Sequence, residues 1–255
     1  MRKMAMAAVL LAAGGLVFAG GAKQKPAPVY TAAKAAAADI VLDGTPDEAV
    51  WNSAAALKDF SYPWETTAAP ATVFKAFHDD ANFYFAFTVT DSQVLAVERF
   101  GDERATVDIE DRVEIFFAPA PIDKPDTYFK DDAGYALPVY YAIEVDALGR
   151  VHDYSMVFYR AQMDSNWALP GLETAGKLTD TGYTVEGKIP LASLRTLGLI
   201  QAGGAIRAGV FRAEFSGSVA DSANIIQRWI SWADPVTTAP DFHVETAFGI
   251  IRLTP

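Results

Sequence analysis

The run FYFAFTV, residues 83 to 89, sets the tightest limit on what this chain can become. Phe83, Phe85, Phe87 and Val89 recur at every second position, so on a strand they share one face. A strand face so apolar needs a second layer to cover it. Residues 72 to 77 are also strand-like, and the polar turn from His78 to Asn82 joins the two into a hairpin. Alternation returns in DRVEIFF, where Val113, Ile115 and Phe117 share a face while the opposite face runs Arg112, Glu114, Phe116. Residues 139 to 145 and 151 to 159 form a second hairpin across Asp146 to Arg150. Residues 183 to 190 alternate again, with Val185 and Ile189 on one side.

IRAGVFRAEF, RWISW and FGIIRL close the chain with further strand character. About ten short strands separated by turn residues, without alternating long helices, predict an all-β fold: an antiparallel β-sandwich of immunoglobulin-like or jelly-roll type. One or two short helices accompany it. Thr45-Pro46-Asp47-Glu48 has the form of a capping box that would seat Trp51 against the core, and Pro190 opens a helix over LASLRTL.

Ahead of this pattern, MRK followed by MAMAAVLLAAGGLVFAGGA has the layout of a secretory signal peptide, residues 1–22. The Pro/Ala-rich stretch 23–38 reads as a linker, and a single domain occupies residues 39–255. A short strand is expected over residues 40 to 42. The expected location is secreted or periplasmic. The chain contains no cysteine, which excludes disulfides, a thiol nucleophile and a lipidated cysteine after the leader. A formal charge of -11 disfavours nucleic acid and anionic membrane surfaces and suits neutral ligands or cations. No membrane association beyond export is expected.

Glu114 is the residue that most needs explaining, because it interrupts an aromatic strand. Glu144 and Glu186 interrupt other strands in the same way, and a shared face would make a polar platform for hydroxyl-rich ligands or a cation, since ionised carboxylates only accept hydrogen bonds. A glycosidase would need two carboxyls about 5 to 9.5 Å apart across a cleft, and no such pair is fixed by the sequence. Of five tryptophans, Trp51 and Trp229 read as core, whereas Trp64 in SYPWETT and Trp167 in DSNWALP lie in turn-rich segments suited to stacking on sugar rings. His78, His152 and His243 form no zinc pattern. Asp79 and Asp80, with Asp91, offer hard oxygen ligands for calcium. No P-loop, G-x-S-x-G or dinucleotide fingerprint is present.

VLDGTPDEAVW, HDDANFYFAFTVTD, DRVEIFF, YYAIEVDALGRVHD, GYTVEGKIPLASL, ISWADP and DFHVETAFGIIRL occur in the order seen in the family 9 carbohydrate-binding modules, and residues 39 to 255 resemble that family throughout. The resemblance implies a non-catalytic β-sandwich appended to plant-polysaccharide enzymes, often with structural calcium, binding termini of oligo- or polysaccharides. In the sugar-binding members two tryptophans clamp the ring and the Glu of D-x-x-E, here Glu114, takes its hydroxyls. The chain departs from that pattern: Asp108 stands where one clamp tryptophan belongs, Pro240 near the other, and Glu144 where an arginine commonly contacts the sugar. Trp64 or Trp167 would then have to supply the aromatic wall. Related sandwiches hold haem b, for which Met156 or Met163 with His152 or His78 are the available ligands. A third reading is a protein-assembly subunit whose acidic face meets a basic partner.

Overall fold

The computed structural model describes residues 26–36, 40–97, 101, 103–119, 129–130, 136–137, 139–218 and 224–255. The leader read over residues 1–22 lies outside them. Among the described residues fifteen strands follow in chain order. The first seven are β1 (Val29–Lys34), β2 (Ala56–Leu57), β3 (Thr72–His78), β4 (Asn82–Thr90), β5 (Arg112–Ala118), β6 (Phe129–Lys130) and β7 (Ala136–Leu137). Then come β8 (Val139–Asp146), β9 (Val151–Val157), β10 (Met163–Asp164), β11 (Glu173–Thr179), β12 (Gly182–Pro190), β13 (Ala205–Ser216), β14 (Ile226–Ser231) and β15 (Gly249–Thr254). Two short α-helices, α1 (Glu103–Thr106) and α2 (Leu191–Thr196), interrupt them.

One continuous hydrogen-bonded ribbon runs β10-β9-β8-β5-β13-β15-β1-β3-β4-β12-β11, with β14 paired to β13 and β2 to β3. It folds over itself into a sandwich. Val113, Ile115 and Phe117 of β5 and Ile143 and Val145 of β8 share one buried cluster with Phe74 of β3, Phe83, Phe85 and Phe87 of β4, and Val185 of β12. The rings of Phe83 and Phe117 meet edge to face at 6.4 Å, joining the two layers. Each such buried ring contributes about 2 kcal/mol by leaving water, so the period-two pattern alone specifies which face turns inward.

The two hairpins read from the sequence are present, β3 with β4 and β8 with β9, as is the helix after Pro190. Three expectations change. The stretch read as linker contains β1, which runs parallel to both β15 and β3. Tyr30 and Ala32 are buried there, and the Tyr30 hydroxyl accepts the Ala76 amide at 2.7 Å and donates to the Ala55 carbonyl at 2.6 Å. Alanine is small enough to hide between two strands, so low complexity did not mean exposure. The strand expected over residues 40 to 42 does not pair. In the same region Glu48 builds no capping box. Its carboxylate accepts the Val41 amide and the Trp51 indole N–H instead, at 2.9 and 3.1 Å, and only the 3-10 turn Ala49–Asn52 follows. Trp51 is nonetheless buried, edge-on to Phe77 at 4.8 Å.

Strand β11 was invisible to alternation: ETAGKLT is a largely exposed edge strand. Its Gly176 lies against Gly149 in the β8–β9 turn so closely that a Cβ on either would overlap the other's backbone, and Gly149 sits at φ +83°. This backbone-on-backbone contact closes one end of the sandwich.

Candidate functional site

The β5, β8, β9 and β13 layer has a second, outward face, and it is not a solvated strand face. Phe116, Tyr140, Tyr154, Met156 and Phe211 are buried on it beneath the segment before β15, which contributes Phe242, Val244 and Phe248. Phe242 stacks on Phe211 at 4.2 Å. The Tyr159 amide donates to the His243 carbonyl at 2.8 Å, pinning this segment over the end of β9. Tyr159 and Arg160 both adopt φ near +60°, 60° and 58°, which swings Arg160 back over the face. Such conformations persist in non-glycine residues only where the surroundings hold them.

A cavity of about 490 Å³ remains between these elements, with Arg112, Glu114, Glu144 and His152 in its lining, Trp229 and Tyr154 beside them, and Asp108, Asp241 and Pro240 around it. Glu114 and Glu144 are direct cross-strand partners on β5 and β8. The Nε of Arg112 lies 2.9 Å from Glu114 Oε1 and 3.0 Å from Glu144 Oε2. Glu114 is 1% and Glu144 5% exposed, so this is a buried carboxylate–guanidinium–carboxylate triad. Arg112 is held by the carbonyl of Asp108 at 2.8 Å and packs against the rings of Phe215 and Trp229, 5.3 and 5.4 Å from its guanidinium carbon.

One guanidinium serves two carboxylates and satisfies neither fully. Glu114 Oε1 and Glu144 Oε2 sit at ion-pair distance but receive no aligned N–H, and His152 Nδ1, 3.8 Å from Glu144 Oε2, has no hydrogen-bond partner either. Tyr154 donates to the other oxygen, Glu144 Oε1, at 2.9 Å. Burial, opposed by Arg112 and reinforced by Glu144, pushes the Glu114 carboxyl up to about 8. Burial also pulls His243 down to about 4, so its ring is neutral at neutral pH, hydrogen-bonded through Nδ1 to the Tyr140 hydroxyl.

The structure therefore unites Glu114, Glu144 and Asp108 and separates the others. Trp64 stands next door, lining an adjoining cavity of about 340 Å³ that shares Gln227, Trp229 and Pro240 with the first. Its indole N–H donates to the Thr237 carbonyl at 3.0 Å. Trp167 packs on Tyr141 at 4.7 Å, on the opposite face of β8 from Glu144, and cannot reach the cavity. Glu186 does not join the platform: buried on β12, it accepts the amides of Asp43 and Gly44, both at 2.8 Å.

The aromatic wall is Trp229, read from sequence as core but half-buried and facing the cavity. Its signal was available, because on β14 it shares a face with Gln227 rather than with Ile230. The same period-two rule places Arg112 beside Glu114.

The calcium ligands expected from sequence do not converge. Asp79 accepts the amides of Ala81 and Asn82 and the Tyr84 hydroxyl. Asp80 points to solvent and pairs with Lys34 at 2.6 Å, and Asp91, at the far end of β4, holds the buried Arg212 at 2.7 Å. Among the described residues no group of three or more His, Asp or Glu is arranged to hold a metal. The haem ligands fit no better. His152 and Met156 rise from one face of β9, and Met163 is the cross-strand partner of Met156, so these donors do not stand on opposite sides of an iron. His78 is committed to the carbonyls of Asp79 and Thr254, both at 3.0 Å.

Among solved structures, a protein of Bacteroides uniformis described as a candidate carbohydrate-binding protein superposes with a TM-score of 0.64 at 16% identity, over 89% of this chain and 100% of its own. A family 9 module of Caldicellulosiruptor kristjanssonii, solved with glucose and with cellotriose, superposes at 0.50 and 0.51 with 17% identity in both. Those alignments cover 89% of this chain and 96% and 93% of the module. No curated protein matches. Residues 42–255 match the family described as carbohydrate family 9 binding domain-like, and the chain belongs to that family.

Proposed function

We propose that this protein is an exported, non-catalytic carbohydrate-binding module that takes a sugar ring in the cavity lined by Trp229 and the Glu114–Arg112–Glu144 triad. The observation that carries the reading is the pairing of a half-buried indole with two buried carboxyl groups that keep unfilled hydrogen-bonding capacity. A sugar offers an apolar ring face to the first and several hydroxyl donors to the second. Stacking on Trp229 would add about 1 kcal/mol beyond area burial, and each hydroxyl reaching a buried carboxylate about 1.5–3 kcal/mol. Both carboxylates rise from one layer against the same arginine rather than facing each other across the cavity, which favours holding a sugar over cleaving one. Glucose and cellotriose, the ligands of the structurally similar module, are the first to try.

The test is thermal unfolding of residues 23 to 255 against mono- and oligosaccharides. A ligand at about 100 times its dissociation constant adds about 2.7 kcal/mol to the native state, moving the midpoint of a domain this size by several degrees. A rise with at least one sugar is expected. A flat midpoint across glucose, cello-, xylo- and amino-sugar oligomers would contradict the reading.

A further inference from the structure

We infer that the cavity selects a sugar carrying a protonated amine, a hexosamine with a free amino group, whose ammonium seats against Glu144 and Glu114 from the cavity, beside Arg112. The inference rests on the carbohydrate-binding reading and narrows it to a substrate class. Glu144 Oε2 is the key atom. It is buried, lines the cavity and receives no aligned hydrogen bond, while its sister oxygen is already occupied by Tyr154. Glu114 Oε1 and His152 Nδ1 are in the same condition beside it, and both residues are more than nine-tenths buried. Two buried carboxylate oxygens that share one poorly aligned guanidinium nitrogen, with an unpartnered imidazole nitrogen beside them, leave acceptor capacity for a donor with several N–H bonds, and an ammonium has three.

Charge argues the same way. The cavity's carboxylates are Asp108, Glu114, Glu144 and Asp241, against the two guanidiniums of Arg112 and Arg160. Arg160 lies 3.4 Å from Asp241 at the rim, so Arg112 is the guanidinium in direct contact with both buried glutamates. A neutral hydroxyl cannot supply the missing positive charge. An ammonium can, through charge-assisted hydrogen bonds roughly twice as strong as neutral ones. Burial, which Arg112 does not fully offset, raises the Glu114 carboxyl, and a second cation beside it would lower it again. The net charge of -11 would also draw cationic sugar polymers toward the protein.

Calorimetric titration of the mature chain with glucosamine and its oligomers, beside the matching glucose and N-acetylglucosamine series at equal salt, separates the possibilities. Charge-assisted against neutral hydrogen bonding predicts a preference of about tenfold for the free amine over glucose. Acetylating the amine removes the charge without touching the protein and should abolish the preference. In Glu144→Gln, which keeps shape and the Tyr154 bond, the preference should fall to about threefold or less, with the unliganded thermal midpoint checking that the variant folds. Equal binding of glucose and glucosamine would overturn the inference while leaving the proposed function standing. A preference undiminished in Glu144→Gln would assign it to the acidic surface at large and overturn the inference too. Binding of none of these sugars would overturn both.

Discussion

Glu114 shows how much one position can be read from its neighbours and how much it cannot. That a carboxylate interrupted an aromatic face was plain from period two, and so was its proximity to Arg112. That Glu144 would lie directly opposite, with both glutamates against one guanidinium, depended on a strand register no local pattern contains. The consequence is measurable. Glu114 titrates near 4.5 when unperturbed and at about 8 in the folded protein, so the native state holds its proton more tightly than the unfolded chain. Its contribution to stability is complete below about pH 4.5 and is lost as pH rises toward 8, at about 1.4 kcal/mol per pH unit. Asp111, which burial raises to about 7, works in the same direction. Glu114→Gln removes only the first contribution. The variant should therefore gain on the wild type in urea midpoint steadily from pH 5 to pH 8, and curves that stay parallel would show that Glu114 is not held protonated.

Elements with strong alternation were legible, and those whose burial comes from smallness or from edge position were not. β3, β4, β5, β8, β9 and β12 announce themselves through large apolar residues at every second position. β1 does not, because VYTAAK offers one tyrosine and two alanines, yet it fills the seam between β15 and β3. The Tyr30 hydroxyl accepts the Ala76 amide of β3 and donates to the Ala55 carbonyl of the segment before it. Tyr30→Phe keeps the ring and leaves the Ala76 amide and Ala55 carbonyl without that partner, which should cost about 1–3 kcal/mol. Urea unfolding of the variant measures it, and an unchanged midpoint would mean β1 is not integral to the sandwich. β14 illustrates the opposite failure. Its tryptophan was assigned to the core on residue type, when its strand neighbours Gln227 and Arg228 marked an edge open to solvent on that side.

At the level of the molecule, the sandwich is the family's, and its outward face carries the departures. Where the resemblance implied two clamp tryptophans and an arginine, the cavity is lined by Pro240, Asp108 and Glu144. Trp229, contributed by the strand paired to β13, is the tryptophan in that lining. This rearrangement was out of reach of motif spacing, because Trp229 and Glu114 are far apart in sequence and meet only through β13, the strand paired to both β5 and β14. The layout also predicts which tryptophan does not matter. Trp167 sits on the far face of β8, so its loss should leave ligand affinity untouched even if stability falls. The decisive measurement is therefore a paired calorimetric titration of Trp229→Ala and Trp167→Ala with the sugar that most stabilises the wild type. The account predicts at least about a tenfold loss of affinity in Trp229→Ala, from lost stacking and ring burial, and wild-type affinity in Trp167→Ala. Wild-type binding by Trp229→Ala, or loss confined to Trp167→Ala, would place the sugar elsewhere on the protein and contradict the account.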